Sequence, residues 1–258
     1  MKSAWQINAR RLALLMRNDI LSQSRPILLT AGAAFSFLFV AWGISLFTGH
    51  SHDFYPFFFG ATVLMGGIVL TSLSFSELHH GLKGIAYLTL PGSLVEKYIS
   101  KLVLTSVGFA GATVVFFYLF SLVAALIARL AFGNSMPVFD VTADGIAGYL
   151  ITFLTIHPLV FFGGIYFKRL ALVKTLLCVF SFLIGLGIVM LFVGWPLFAG
   201  IDGAVAMHNL FSNLSEFFRV HGRALAAAGK MLTRFVMPVF FIGLGYLRLT
   251  EYEVNNGV

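Results

Sequence analysis

Charge is what this chain has least of. Only 10% of its 258 residues are Asp, Glu, Lys or Arg, where a soluble domain carries about 25%. At 59% hydrophobic with 29 Phe, a soluble fold of this length has too few polar groups to cover its surface. Cysteine is nearly absent too. The one present, Cys178, lies in an apolar run, which excludes a disulfide framework and a cysteine metal site and leaves the redox compartment open. There is no Gly-x-x-x-x-Gly-Lys-[Ser/Thr] phosphate loop, no His-Glu-x-x-His zinc motif and no Gly-x-Ser-x-Gly elbow, so the chain carries no ATPase, zincin or hydrolase signature. No apolar run holds two carboxylates, which argues against intramembrane aspartyl chemistry. His50 with His52, and His79 with His80, are pairs lacking a further set of ligands.

What is abundant is long apolar sequence. A bilayer-spanning helix needs about 20 mostly apolar residues, and six windows qualify: Ile27–Phe47, Phe54–Phe75, Leu102–Ile127, Ile146–Phe167, Thr175–Phe198 and Thr233–Leu249. The last is the weakest, because Arg234 and Arg248 bound a short uncharged stretch. Snorkelling of both arginines, or extension of the helix toward Gly229, lets it span. The fold class read from this pattern is all-α: six transmembrane helices in one domain over 27–249, preceded by an interfacial segment over 1–26 and followed by a tail over 250–258.

The net charge of +7 sets topology better than it suggests a nucleic-acid partner. With the N-terminus inside, twelve Lys and Arg fall in inner segments and five in outer ones, while acids divide evenly. That asymmetry is the positive-inside pattern and places both termini in the cytoplasm. Residues 1–26 do not read as a cleaved signal, since five cations precede the first long apolar run. Within them Trp5, Ala9, Leu12, Leu15 and Met16 share one helical face, opposite Arg10 and Arg17, as in a cationic helix lying on a membrane surface. Arg25-Pro26 is the expected break into the first span.

The segment Ser74–Lys101 is the most structured of the polar stretches. Ser74 with Glu77, and Ser93 with Glu96, both fit the Ser-x-x-Glu capping box, and Leu90-Pro91-Gly92 between them is a turn signal. One short helix, a turn and a cytoplasmic extension of the third span follow from this. The stretch Tyr87-Leu-Thr-Leu-Pro-Gly-Ser-Leu-Val-Glu-Lys-Tyr-Ile-Ser-Lys101 resembles the second-to-third-span loop of type-2 ABC transporter permeases, where Leu-Pro-x-Ser followed by Glu and Lys enters the third span. The resemblance is residue-level over these fifteen or so positions and extends to the rest of the chain in layout only.

That resemblance implies the permease subunit of an exporter, with an N-terminal elbow helix and a coupling loop over 76–101. Its partners would be two separate ABC ATPase subunits, a second permease chain in a homo- or heterodimer, and membrane lipid, with no nucleic acid. ATP and Mg would sit on the ATPase, leaving this chain without a cofactor, a metal or catalytic residues. The location implied is a bacterial inner membrane. Glu77, Leu90, Pro91, Ser93, Glu96, Lys97 and Lys101 would then serve as turn, cap and charged docking surface.

Two features lie outside that motif. Residues 199–233 form the largest outer connection, with apolar residues recurring at helical spacing among Asp202, His208, Glu216, Arg219, Arg223 and Lys230; short interfacial helices are expected there. His157-Pro158 sits mid-span, where an ionisable group is either a bundle hydrogen-bonder or a pathway residue. A stand-alone secondary transporter or channel built on His157, or a membrane scaffold docking another protein, are the other classes compatible with the sequence.

Overall fold

The computed structural model describes residues 8–48, 51–76, 92–133, 137–143, 145–198, 219–220 and 222–255. Among them the chain is helical with no strand. Helix α1 runs Ala9–Ser22 and α2 Ser24–Thr48. Then α3 (Ser51–Ala61) continues through a π turn (Thr62–Gly66) into α4 (Gly67–Leu73). Helix α5 (Leu94–Val103) passes through a second π turn (Leu104–Gly108) into α6 (Phe109–Phe132). Helices α7 (Ile146–Tyr166) and α8 (Ala171–Phe198) follow. A helical stretch over 222–231 then enters a third π turn (Leu232–Val236) and α9 (Met237–Asn255).

Six of these helices are long and apolar enough to cross a bilayer: Ser24–Leu46, Phe54–Leu73, Leu94–Ala131, Ile146–Tyr166, Ala171–Val189 and Gly222–Glu251. The expected six spans are therefore present. The third is longer than its apolar run because α5 joins it without a break. The sixth reaches well past Arg234, the extension that its short apolar stretch requires. This is a multi-pass membrane protein.

One expected boundary moves. The break before the first span falls at Gln23, whose φ of −107° and ψ of 14° interrupt the helix, and not at Arg25-Pro26. Pro26 lies in the first turn of α2, where no intrahelical donor is needed and its fixed φ is compatible with a helix.

Helix α7 is the hub. It packs against α4, α8 and α9, and all three π turns touch it. Glycine makes the approaches close, as expected where dispersion and small residues hold helices together in lipid. A Cβ on Gly164 would stand 3.2 Å from the Ser72 carbonyl oxygen and 3.4 Å from that of Thr71. Gly163 abuts the Thr175 side chain, and Gly245 of α9 would meet the Tyr98 hydroxyl at 2.8 Å. Ala124 and Ala128, one turn apart on α6, are likewise buried, whereas Gly32 of α2 faces open space.

Two apolar clusters form the core. The larger gathers Phe54, Phe59 and Val63 with Phe117, Phe120, Phe139 and Phe153. The smaller holds Phe75, Tyr98, Phe161, Ile165 and Leu249. By contrast α8 is apolar on every side and mostly open: Leu176, Leu177, Phe180, Phe182, Leu183 and Phe192 are all exposed. A helix that is hydrophobic all round and uncovered by protein is solvated by lipid. Between α6 and α7, Gly133 ends α6 with φ of 69°, the left-handed cap glycine takes readily. In the same connection Asp140 accepts hydrogen bonds from the hydroxyl and N–H of Thr142, which hold its carboxyl below the usual range.

Candidate functional site

Ser93 and Glu96 form the capping box read from the sequence. Ser93 Oγ accepts from the Glu96 N–H at 3.2 Å, and Glu96 Oε2 accepts from the Ser93 N–H at 2.9 Å. Two donors at the start of α5, the Ser93 and Glu96 N–H groups, gain partners, which fixes where the helix begins.

The other carboxylate oxygen reaches across the sequence. Glu96 Oε1 accepts from the backbone N–H of Asn8 at 2.9 Å, and Asn8 is itself the N-cap of α1, its Oδ1 accepting from the Arg10 N–H at 3.0 Å. One carboxylate thus ties together the starts of two helices, at the positive ends of both helix dipoles. Further along, Lys101 of α5 pairs with Asp19 of α1 at 3.2 Å, with side chains only 5% and 14% exposed. Leu15, buried between these two links, lies against Gly92: a Cβ there would stand 3.3 Å from Leu15 Cδ1. Hydrogen bond, apolar contact and ion pair fasten α1 along α5.

The opposite side of α5 is tied to the bundle. The Tyr98 hydroxyl donates to the Ile242 carbonyl at 2.7 Å, and its ring meets Phe161 and Tyr246 edge-on. Tyr98 is only 3% exposed. Glu96, Lys97, Ser100 and Lys101 are buried as well.

This corrects one expectation. The carboxylate and the two lysines are buried and do not form an open charged docking surface. Glu96 and Lys101 direct their charges to α1, through Asn8 and Asp19. Glu77, Leu90 and Pro91 lie outside the described residues, as do Trp5 and most of the 199–233 connection. Ser74, expected to cap with Glu77, ends α4 with its hydroxyl donating to the Thr71 carbonyl at 2.8 Å. The two-faced polarity expected of α1 is also incomplete: Leu12, Leu15, Met16 and Asp19 turn inward, but Leu14, Ile20 and Leu21 are exposed alongside Arg10, Arg11 and Arg17.

The mid-span candidate, His157, is 1% exposed. Its Nε2 lies 2.9 Å from Thr105 Oγ1, and that hydroxyl sits in the second π turn, 2.7 Å from the Lys101 carbonyl. The His157 ring contacts Phe153 of the larger cluster and stacks on Phe161 of the smaller one. It is a polar link between two apolar layers, with its hydrogen bond made within the bundle. Among the described residues no group of three or more His, Cys, Asp or Glu is placed to hold a metal.

Sequence reasoning missed Asn8, Asp19, Tyr98 and Thr105. Asn8 carried a readable signal, an N-cap residue directly before a helical pattern. The other three take part through pairings that no local pattern encodes. No family model, characterised protein or solved structure matches this chain.

Proposed function

We propose that the chain is the membrane subunit of an ABC exporter, pairing with a second permease chain and driven by two ATPase subunits that engage the 76–92 segment. The observation that supports this most is the Glu96 tie. A mechanical coupling needs an element that moves as a unit, because a distant ligand acts only through a structure with discrete arrangements. Helix α5 has the properties of such a strut. It is capped at its start by Ser93 and Glu96, fastened to α1 on one side and to α9 through Tyr98 on the other, and continuous with the third span.

Force applied before Ser93 would pass along α5 into the span, carrying α1 with it. The π turn at Leu104–Gly108 is the compliant point where strut meets span, since such turns trade regular hydrogen bonding for a local distortion. ATP and Mg belong to the partner in this reading. The interfacial placement of α1, the cytoplasmic position of both termini and the bacterial inner membrane belong to the same proposal.

The test is co-purification and coupling. Ser93→Ala with Glu96→Ala should leave the chain in the membrane yet reduce recovery of an ATPase partner, or uncouple transport from hydrolysis. Unchanged recovery together with unchanged transport-stimulated hydrolysis would refute the assignment. A stand-alone transporter using His157 draws less support, because that ring is enclosed by Phe153 and Phe161 and bonded to Thr105.

A further inference from the structure

Arg223, Lys230 and Arg234 recur at intervals of seven and four residues on the helix that becomes the sixth span. At about 100° per residue they project within an arc of roughly 40°. All three are exposed, and among the described residues none of them forms an ion pair. No Asp or Glu occurs anywhere from Val220 to Tyr246. The ridge carries three positive charges, and the nearest acid after it on its own helix is Glu251, at the other end of the span.

Depth makes this ridge unusual. Helix α9 runs beside α7 in the same direction: Phe241 lies against Phe162, and the Arg248 guanidinium sits 5.0 Å from the Tyr166 ring centroid. An arginine over a tyrosine at the end of a span marks one membrane boundary. At 1.5 Å per residue Arg234 is about 20 Å from Arg248 along the axis, Lys230 about 27 Å and Arg223 about 37 Å. Against a hydrocarbon core of about 30 Å, Arg223 lies beyond the far boundary, Lys230 near it and Arg234 roughly 10 Å within. A cation at that depth is costly unless it snorkels or finds an anion.

The surroundings suit one kind of anion. Ala224, Ala226, Ala227, Ala228 and Gly229 leave the upper part of the ridge narrow, and Leu232, Phe235 and Val236 are exposed at and below Arg234. Cations above and apolar surface below match a molecule with a negative head and acyl tails. We propose that this ridge is a binding site for an anionic phospholipid of the leaflet farther from α1, its phosphate drawn inward between Lys230 and Arg234. The inference stands on the spans alone and does not depend on what drives the bundle.

The test uses the full chain in phosphatidylcholine vesicles doped with photoactivatable phosphatidylglycerol or, separately, with photoactivatable phosphatidylcholine of the same acyl chains. Adducts are mapped by mass spectrometry. Near a membrane each cation favours an anionic lipid by about fivefold, so phosphatidylglycerol should exceed phosphatidylcholine on the 222–236 peptides by at least tenfold. Arg223→Gln with Lys230→Gln and Arg234→Gln should abolish that preference, and Arg223→Lys with Arg234→Lys should keep it. Equal labelling by the two lipids would overturn the proposal. So would phosphatidylglycerol adducts confined to the Lys168, Arg169 and Lys174 cluster, or copy-to-copy cross-links across the ridge that exclude phosphatidylglycerol. The wild-type mapping decides the matter even where a variant fails to fold.

Discussion

Replacing Glu96 by Gln should free α1 while leaving α5 capped. The carboxylate makes two bonds, one to the N–H of Ser93 within its own helix start and one to the N–H of Asn8 across the chain. A glutamine has a single carbonyl oxygen. The local capping geometry keeps it on Ser93, so the amide nitrogen faces the Asn8 N–H, donor against donor. A hydrogen bond to a charged group contributes about 1.5–3 kcal/mol, and losing the negative charge at the start of α1 removes a further ~0.3–1 kcal/mol. Asn8 is exposed, so water recovers part of this, and about 2 kcal/mol remains. That is roughly a 30-fold larger open population, at 1.4 kcal/mol per decade. Hydrogen exchange of the reconstituted protein reads it directly, because local opening governs amide protection. The Ala9–Ser22 amides should exchange up to about 30-fold faster in the variant, with those of Leu94–Val103 little changed. Equal exchange of α1 in both proteins would refute the two-helix role of this carboxylate. Loss of α5 protection first would show that the Ser93 bond is the one that breaks.

Three further outcomes follow from the same packing. Asp19→Ala removes the carboxylate that pairs with the buried Lys101, which costs about 3 kcal/mol, whereas Asp19→Leu combined with Lys101→Met recovers most of that; a double-mutant cycle read by thermal unfolding checks it, and additive losses would contradict it. Thr105→Val strips the hydroxyl partner from the buried His157 Nε2 and lowers stability by about 1–3 kcal/mol, while Thr105→Val with His157→Leu is closer to neutral; the comparison by melting fails if the double variant is the worse. Gly164→Ala presses a methyl group onto the backbone oxygens of Ser72 and Thr71 and destabilises by about 1–3 kcal/mol. Gly32→Ala, in open space, gains up to about 1 kcal/mol from helix propensity, so equal melting shifts for these two glycines would sink the packing argument.

The spans were legible because a bilayer imposes length and apolarity on each segment by itself, and the Ser93–Glu96 box because capping acts over four residues. Both signals are local. What stayed hidden is how helices meet. Nothing in the run from Ala9 to Ser22 says that Asp19 will face Lys101, more than eighty residues away. The burial of Glu96 and Lys101 is hidden for the same reason: on an isolated α5 they are polar surface, and contact with Asn8 and Asp19 of the α1 segment makes them interior. Thr105 is unremarkable in sequence, yet the π turn that carries it and the neighbouring His157 make it the partner across the bundle. The break at Gln23 shows a smaller failure. Proline was read as the stop, but a helix accepts proline in its first turn, and the chain had already turned two residues earlier.

The central claim is that an ATP-hydrolysing partner acts on this chain through α5. A gentle-detergent pull-down of the tagged protein from its native membrane, with mass spectrometry of what accompanies it, tests that most directly. The account predicts a stoichiometric partner carrying a phosphate loop and an ABC signature, retained by the wild type and lost or diminished on Ser93→Ala with Glu96→Ala. A chain recovered alone, or with companions that bind no nucleotide, would contradict it.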